Sequence, residues 1–160
     1  DPAVVKGFMG QLQEKGCYQL GPEAFARLQA EFWGGFAGEE ETIATIGDIY
    51  KKYGYLIDPH TAVGVKVCRD YRQETGDNRP VIIASTASPF KFTRSVVQAV
   101  MGEESCREKD DFTLLEVLSK FTGEEIPAGL RGIEERPVRH NLKAAPEGTK
   151  EVTRQILGLN

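Results

Sequence analysis

The sequence predicts an α/β fold class: a mostly helical chain with one or two strands that forms part of an open parallel sheet. Apolar residues recur at helical spacing through most of the 160 residues. One continuous apolar run, Val81, Ile82, Ile83 and Ala84, instead has the pattern of a strand that is buried on both faces. Because such a strand needs hydrogen-bonded neighbours on both sides, we expect the remaining strands to lie upstream of this sequence.

The first residues agree with that expectation. The chain begins with Asp1 rather than methionine, and apolar residues at helical spacing follow at once between Val4 and Leu12. Two explanations stay open: an upstream part is absent from this sequence, or a tag has been removed. The missing strands favour the first explanation.

Composition and charge exclude several classes of function. Lys and Arg total 20 against 24 Asp and Glu, so the net charge is −4, and no basic stripe is long enough to follow a nucleic-acid backbone. The longest apolar stretches are far shorter than the roughly 20 residues of a membrane helix. Three cysteines without a CxxC pair predict neither a disulfide framework nor a zinc site. We therefore expect a cytoplasmic chain whose partners include no nucleic acid, membrane or metal.

Turn and capping residues place the first helices. Gly21-Pro22 begins a helix over residues 22–33, because proline at the first helical position loses no hydrogen bond. An acidic start at Glu39 begins the next helix, since carboxylates are favoured at the positive end of the helix dipole. The apolar face that begins in the helix over residues 22–33 is expected to bury Phe25, Leu28, Phe32 and Phe36. The helix that begins at Glu39 is expected to bury Ile43, Ile46, Ile49, Tyr50 and Tyr53.

Asp58-Pro59 is the strongest helix start in the sequence. It combines a carboxylate N-cap with proline at the first helical position, and Gly76 then predicts the end of a helix over residues 59–75. Gly64 lies in the middle of its apolar face, where glycine costs about 1 kcal/mol relative to alanine. We therefore expect another backbone to pack closely against Gly64.

The rest of the chain alternates turns with further elements. The predicted strand over residues 81–84 is followed by a helix that begins at Ser88-Pro89 and ends at Met101-Gly102. Beyond it the patterns predict a helix over 111–122, a helical turn after Pro127, a second strand over 138–142 and a last helix near 146–157.

Three hydroxyls, from Ser85, Thr86 and Ser88, lie where the predicted strand ends and the next helix begins. In open α/β sheets that edge binds ligands, and the free N–H groups of a helix start attract anions. Equally, Ser88 can be a simple N-cap and Ser85-Thr86 a simple turn. Lys91 and Arg94 either add charge to an anion site or face water.

His60 directly follows the Asp58-Pro59 step, where a lone histidine either contacts a ligand or caps and packs. The sequence contains no Ser-His-Asp arrangement, no glycine-rich phosphate loop and no paired-carboxylate spacing. Composition and pattern alone therefore do not establish catalysis by this chain.

Two segments, in order and some twenty residues apart, carry a family resemblance. Residues 53–64 read YGYLIDPHTAVG and residues 83–92 read IASTASPFKF. Together they closely resemble the C-terminal part of threonine synthases of the longer bacterial and fungal kind, and the resemblance covers most of the chain. Relatives often have histidine and small residues where this chain has Ser88, Pro89 and Phe90, which weakens any role carried over to Ser88.

The resemblance implies a pyridoxal phosphate (PLP) enzyme of the tryptophan synthase β fold. Such enzymes are lyases of threonine biosynthesis that convert O-phospho-L-homoserine and water to L-threonine and phosphate. The family's Schiff-base lysine and its glycine-rich phosphate loop lie upstream of the matched region, so this chain is expected to hold no catalytic residue and to be inactive alone. The expected division is a helical subdomain over residues 1–56 and a cofactor-facing α/β part over 57–160, completed by the remainder of its own chain.

In this fold a hydroxyl after a strand typically faces the pyridine nitrogen of the cofactor. The resemblance makes Thr86 the first choice for that contact and Ser85 the alternative, while Ser88, Lys91 and His60 are expected near the substrate or its phosphate. A second class of function stays open beside the enzyme. In it, the chain is a non-catalytic helical module that uses the turn at residues 85–88 to bind an anion or a partner.

Overall fold

Helices form the regular structure of this chain in a computed structural model that describes residues 1–139 and 141–159. Within these ranges the α-helices are α1 (Pro2–Lys15), α2 (Pro22–Glu31), α3 (Glu39–Tyr53), α4 (Pro59–Thr75), α5 (Thr93–Met101), α6 (Asp111–Thr122) and α7 (Thr149–Leu157). Three short 3₁₀ turns cover Pro89–Phe92, Glu103–Cys106 and Pro146–Gly148. The chain divides into two compact units, Asp1–Arg107 and Glu108–Asn160. The predicted boundary between residues 56 and 57 stays a prediction.

Helix ends follow the local signals closely. Helix α4 begins after Asp58, whose carboxylate accepts hydrogen bonds from the first turn, and it ends at Gly76 with a φ of 72°. A left-handed φ is strained for residues with a side chain, so glycine is the natural residue there. Helix α2 begins at Pro22 as predicted but ends at Glu31, because Phe32 already has an extended backbone.

The prediction that the aromatic stripe of α2 lies in the core is wrong. The exposed fractions of Phe25, Leu28, Phe32 and Phe36 range from 44% to 83%. Apolar spacing indicates which face of a helix needs a partner, but it does not show that the same chain supplies one. Among the described residues no element covers this face fully.

Helices α3, α4 and α5 form the core of the first unit. Helix α3 packs against both α4 and α5, and Ile46, Ala62, Val96 and Val97 are fully buried between these helices. The predicted burial of Ile46 is confirmed, whereas Tyr53 at the end of α3 is exposed. A Cβ atom added to Gly47 would lie 2.7 Å from the Ala99 carbonyl oxygen, so α3 and α5 approach within backbone contact there.

Close packing against Gly64 is confirmed, but the neighbour is a side chain rather than a backbone. A Cβ atom at this position would lie 3.2 Å from Cγ2 of Ile83. The glycine therefore accommodates the segment that follows α4, and this contact holds residues 81–84 close to the helix.

The predicted strand over residues 81–84 is not present: these residues have no regular secondary structure, and Ile82 is 98% exposed. A strand is defined by a hydrogen-bonded neighbour, and no described segment pairs with this one. Of the second predicted strand, residue 140 lies outside the described residues, and residues 138, 139, 141 and 142 form no strand. The α/β class is therefore corrected for this chain: its described residues are helical, without strands.

The second unit contains α6 and α7. Asp110 caps α6 by accepting a hydrogen bond from Thr113 N at 2.7 Å, and α6 buries Leu114, Leu115 and Leu118. The predicted turn after Pro127 is confirmed by a hydrogen bond from Leu130 N to its carbonyl at 2.8 Å. The predicted last helix is also confirmed, with its first residues in a 3₁₀ turn. No described helix has both the length and the apolar character that spanning a bilayer demands.

Candidate functional site

A buried carboxylate organises the start of α4. Asp58 is fully buried, and its Oδ1 accepts hydrogen bonds from His60 N at 2.9 Å and Thr61 N at 3.4 Å. Its Oδ2 accepts a hydrogen bond from the Thr61 hydroxyl. Burial opposes ionisation, but the hydrogen bonds from the Thr61 hydroxyl and from the two backbone N–H groups outweigh it and lower the pKa of Asp58. Asp58 is therefore a charged group that can only accept hydrogen bonds.

The Thr61 hydroxyl connects this carboxylate to the predicted site. Its Oγ1 lies 3.0 Å from Oγ of Ser85, although the two residues are 24 positions apart in the chain. The side chain of Thr61 is buried, whereas Ser85 is exposed on its other sides. The start of α4 thus holds the hydroxyl of Ser85 in place.

His60 lies beside the same carboxylate. Its Nδ1 is 3.2 Å from Asp58 Oδ1, and its ring meets the ring of Phe92 edge-on, with centroids 5.0 Å apart. The side chain remains 71% exposed. His60 therefore makes the contacts expected of a capping and packing residue. Its side chain is also exposed, as a residue that contacts a ligand must be.

Ser88 is the N-cap of the 3₁₀ turn that begins at Pro89. Its Oγ accepts a hydrogen bond from Phe90 N at 3.3 Å, and the side chain of Phe90 is buried. Lys91 in the same turn is exposed and forms no ion pair with any described residue. Arg94 instead donates a hydrogen bond to the carbonyl of Cys106 at 3.2 Å, which turns it toward the end of the first unit.

Thr86 differs from its neighbour Ser85. Its side chain is exposed, and within the part of the chain that the structure describes its hydroxyl has no hydrogen-bond partner. The two residues therefore present one constrained hydroxyl and one unconstrained hydroxyl at the same turn. The structure brings Ser85 and His60 to the Asp58–Thr61 pair, while the roles of all five predicted site residues stay predictions.

The clefts of the first unit overlap only slightly with this site. A cleft of about 620 Å³ lies between α2, α4 and residues 81–83, and its lining includes Trp33, Gly64, Val67, Cys68, Tyr71 and Ile83 but no predicted site residue. A smaller cleft of about 290 Å³ is lined by His60 together with Thr42, Val63 and Ser95. Of the predicted site residues, His60 therefore lines the smaller of these two clefts.

Asp58 was predicted to cap α4, but its connection through Thr61 to Ser85 was not predicted. A signal is present in the spacing: the capping carboxylate is followed three residues later by Thr61, whose hydroxyl can donate back to the cap. The contact with Ser85 has no such signal, because it depends on how the chain folds over 24 residues.

No described group of His, Cys, Asp and Glu side chains is arranged to hold a metal ion.

Comparison with known proteins assigns the family. A model of the threonine synthase C-terminal family matches residues 61–156, which is more than half of the chain. Threonine synthase of Corynebacterium glutamicum is 38% identical over 105 residues, covering 62% of this chain and 21% of that protein. Human threonine synthase-like 1 is 34% identical over 104 residues, covering 65% of this chain and 14% of that protein.

A solved structure gives the same result. The PLP-bound threonine synthase of Brucella melitensis superimposes with a TM-score of 0.61 at 31% identity, covering 86% of this chain and 25% of that one. The chain therefore spans about a fifth of the C. glutamicum enzyme and a quarter of the Brucella enzyme. Sequence and structure agree that the chain belongs to the threonine synthase C-terminal family.

Proposed function

We propose that this chain is the C-terminal part of a PLP-dependent threonine synthase that converts O-phospho-L-homoserine and water to L-threonine and phosphate. The observation that carries the proposal is the likeness to a PLP-bound threonine synthase over 86% of the chain at 31% identity. The family match over residues 61–156 supports it independently. The chain holds the part of the site that follows the catalytic lysine and the phosphate loop, which belong to the remainder of the protein.

The exposed turn at residues 85–86 fits one edge of the cofactor. When bound, PLP supplies an electron sink for carbanion chemistry at the substrate. The hydroxyl of Thr86 is accessible and unpaired among the described residues, so it can donate a hydrogen bond to the ring nitrogen. A hydroxyl leaves that nitrogen unprotonated, because it cannot stabilise a pyridinium as a carboxylate would. In the proposed site Thr86 makes this contact, with Ser85 as the alternative.

Positive and polar groups close to the turn fit the phosphate of the substrate. The ring of His60 packs edge-on against Phe92, and Lys91 precedes Phe92 in the same 3₁₀ turn. Ser88 accepts a hydrogen bond with its Oγ, which leaves its hydroxyl proton available as a donor. We place His60, Lys91 and Ser88 near the substrate phosphate on these grounds.

The three cysteines are free thiols, which agrees with a cytoplasmic location.

The experiment measures phosphate release from O-phospho-L-homoserine by the full-length protein that carries this chain, with and without PLP. PLP-dependent release of phosphate with formation of threonine supports the proposal. The alternative function, a non-catalytic module that binds an anion or a partner at residues 85–88, predicts no turnover even when the upstream lysine is intact. Thr86→Ala and Thr86→Ser form a matched pair, since only the second variant keeps the hydroxyl.

A further inference from the structure

The hydroxyl protons near Asp58 have only one consistent arrangement. Asp58 is ionised and buried, so both of its oxygens accept hydrogen bonds and neither donates. Thr61 has a single hydroxyl proton, and its Oγ1 makes two contacts: one with Asp58 Oδ2 and one with Ser85 Oγ at 3.0 Å. Since the carboxylate can only accept, the Thr61 proton lies between Thr61 and Asp58.

It follows that Ser85 is the donor in its contact with Thr61. The one proton of the Ser85 hydroxyl points inward to Thr61 Oγ1, because Thr61 has no second proton to offer. The exposed side of Ser85 then presents only oxygen lone pairs. Thr86, the next residue, has no such constraint, since its hydroxyl has no partner among the described residues.

We propose that Asp58, acting through Thr61, is a positioning residue that makes Ser85 a hydrogen-bond acceptor and leaves Thr86 as the donor hydroxyl of the turn. This inference sharpens the proposed function and rests on it for its consequence at the cofactor. An unprotonated ring nitrogen offers a lone pair and needs a donor. Ser85 cannot supply one, so the contact falls to Thr86.

The arrangement also removes a competition between neighbours. Two adjacent hydroxyls of free orientation would share one acceptor and would often donate to each other. A buried carboxylate prevents this by fixing one of the two hydroxyl directions from the inner side. Asp58 is fully buried, so its proposed effect passes through Thr61 and Ser85.

The first test uses the full-length protein without cofactor and follows the Asp58 carboxyl carbon by NMR as the pH is lowered. Thr61→Val removes the hydroxyl donor and is expected to raise the pKa of Asp58. Ser85→Ala should raise the pKa of Asp58 by a smaller amount. The Thr61 hydroxyl still donates to Asp58 in this variant, but it no longer accepts a hydrogen bond from Ser85. Thr61→Ser, which keeps the hydroxyl, should titrate like the unchanged chain.

Thr86→Ala is the matched control for Ser85→Ala, and it should leave the titration of Asp58 unmoved. His60 is the other titratable side chain in contact with Asp58, so its ring signals are followed in parallel. If Ser85→Ala leaves the pKa of Asp58 unchanged, or Thr86→Ala moves it as far, the inference is overturned.

The second test uses the full-length protein loaded with PLP that carries ¹⁵N in its ring. The ring nitrogen signal should shift in Thr86→Ala and stay in place in Ser85→Ala. The reverse result overturns the inference while leaving the proposed function intact. Failure of the full-length protein to bind PLP contradicts the proposed function instead, and the titration of Asp58 then decides the inference by itself.

Discussion

The phenol of Tyr71 donates a hydrogen bond of 2.6 Å to Oδ2 of Asp77, which ties the last turn of α4 to the loop that follows it. The same carboxylate accepts hydrogen bonds from Nε of Arg79 at 2.9 and 3.0 Å. These contacts, first those from Arg79 and then that from Tyr71, hold the pKa of Asp77 well below its usual range. They fix the loop that leads into residues 81–84.

Asp77 makes the stability of the chain depend on pH in a definite direction. Its pKa is lower in the folded chain than in the unfolded chain, so its stabilising effect is complete above about pH 4 and is lost as the pH falls further. Asp77→Asn should therefore lower the melting temperature at pH 7 and flatten its decline in acid. Thermal unfolding at several pH values checks this, with Tyr71→Phe as a control that keeps the carboxylate. An equal decline of the melting temperature in the unchanged chain and in Asp77→Asn would contradict the prediction.

Gly47→Ala should destabilise the chain, because the added Cβ would lie 2.7 Å from the Ala99 carbonyl oxygen and backbone cannot move aside cheaply. Overpacking of this kind costs about 1–3 kcal/mol, more than the gain of about 1 kcal/mol in helix propensity. Gly64→Ala is the matched comparison, since its neighbour at 3.2 Å is the movable side chain of Ile83. Urea unfolding should rank Gly64→Ala above Gly47→Ala in free energy of unfolding. Equal values would show that α3 and α5 are less tightly packed than described.

The chain alone should release no phosphate from O-phospho-L-homoserine, even with PLP added. The reason is that the cofactor acts as an electron sink only when the protein holds and orients it, and we propose that the lysine that holds it covalently belongs to the remainder of the protein. Phosphate release and absorbance after addition of PLP are the measurements, with the full-length protein as the positive control. Specific turnover by the purified 160-residue chain would refute the expectation.

Thr86→Ala in the full-length protein should slow turnover about tenfold to a hundredfold. A hydrogen bond of this kind contributes about 1–3 kcal/mol, and each 1.4 kcal/mol in the barrier is tenfold in rate. Thr86→Ser should retain most of the activity, because it keeps the donor. Steady-state kinetics together with the cofactor spectrum are the test, and an unchanged rate and spectrum in Thr86→Ala would remove Thr86 from the site.

Local chemistry made much of the helical structure predictable. The Asp58-Pro59 step and Gly76 predict the two ends of α4 from interactions between residues close together in the sequence. The structure has the helix begin after Asp58 and end before Gly76. The contact between Thr61 and Ser85 was not predictable, because it depends on the path of the chain between two residues that are 24 positions apart. The same distinction explains why a hydroxyl-rich turn was found but its orientation was not.

Two predictions failed for a common reason. The aromatic face of α2 and the apolar segment over residues 81–84 both have patterns of buried structure, yet Phe36 and Ile82 are among the most exposed apolar residues described. A pattern records what a segment requires, whereas burial depends on what is present to cover it. Both segments are expected to be covered in a protein of the full family length.

The unpaired segment over residues 81–84 also affects how the chain behaves in solution. Its backbone N–H and C=O groups have no hydrogen-bond partner among the described residues, and three of its four side chains are β-branched. An unsatisfied apolar run of this kind is a template for any strand that approaches it, including the same run in a second molecule. We therefore expect concentrated samples of the isolated chain to undergo β-type association that begins at Val81, Ile82 and Ile83, and we expect Ile82→Lys to suppress it.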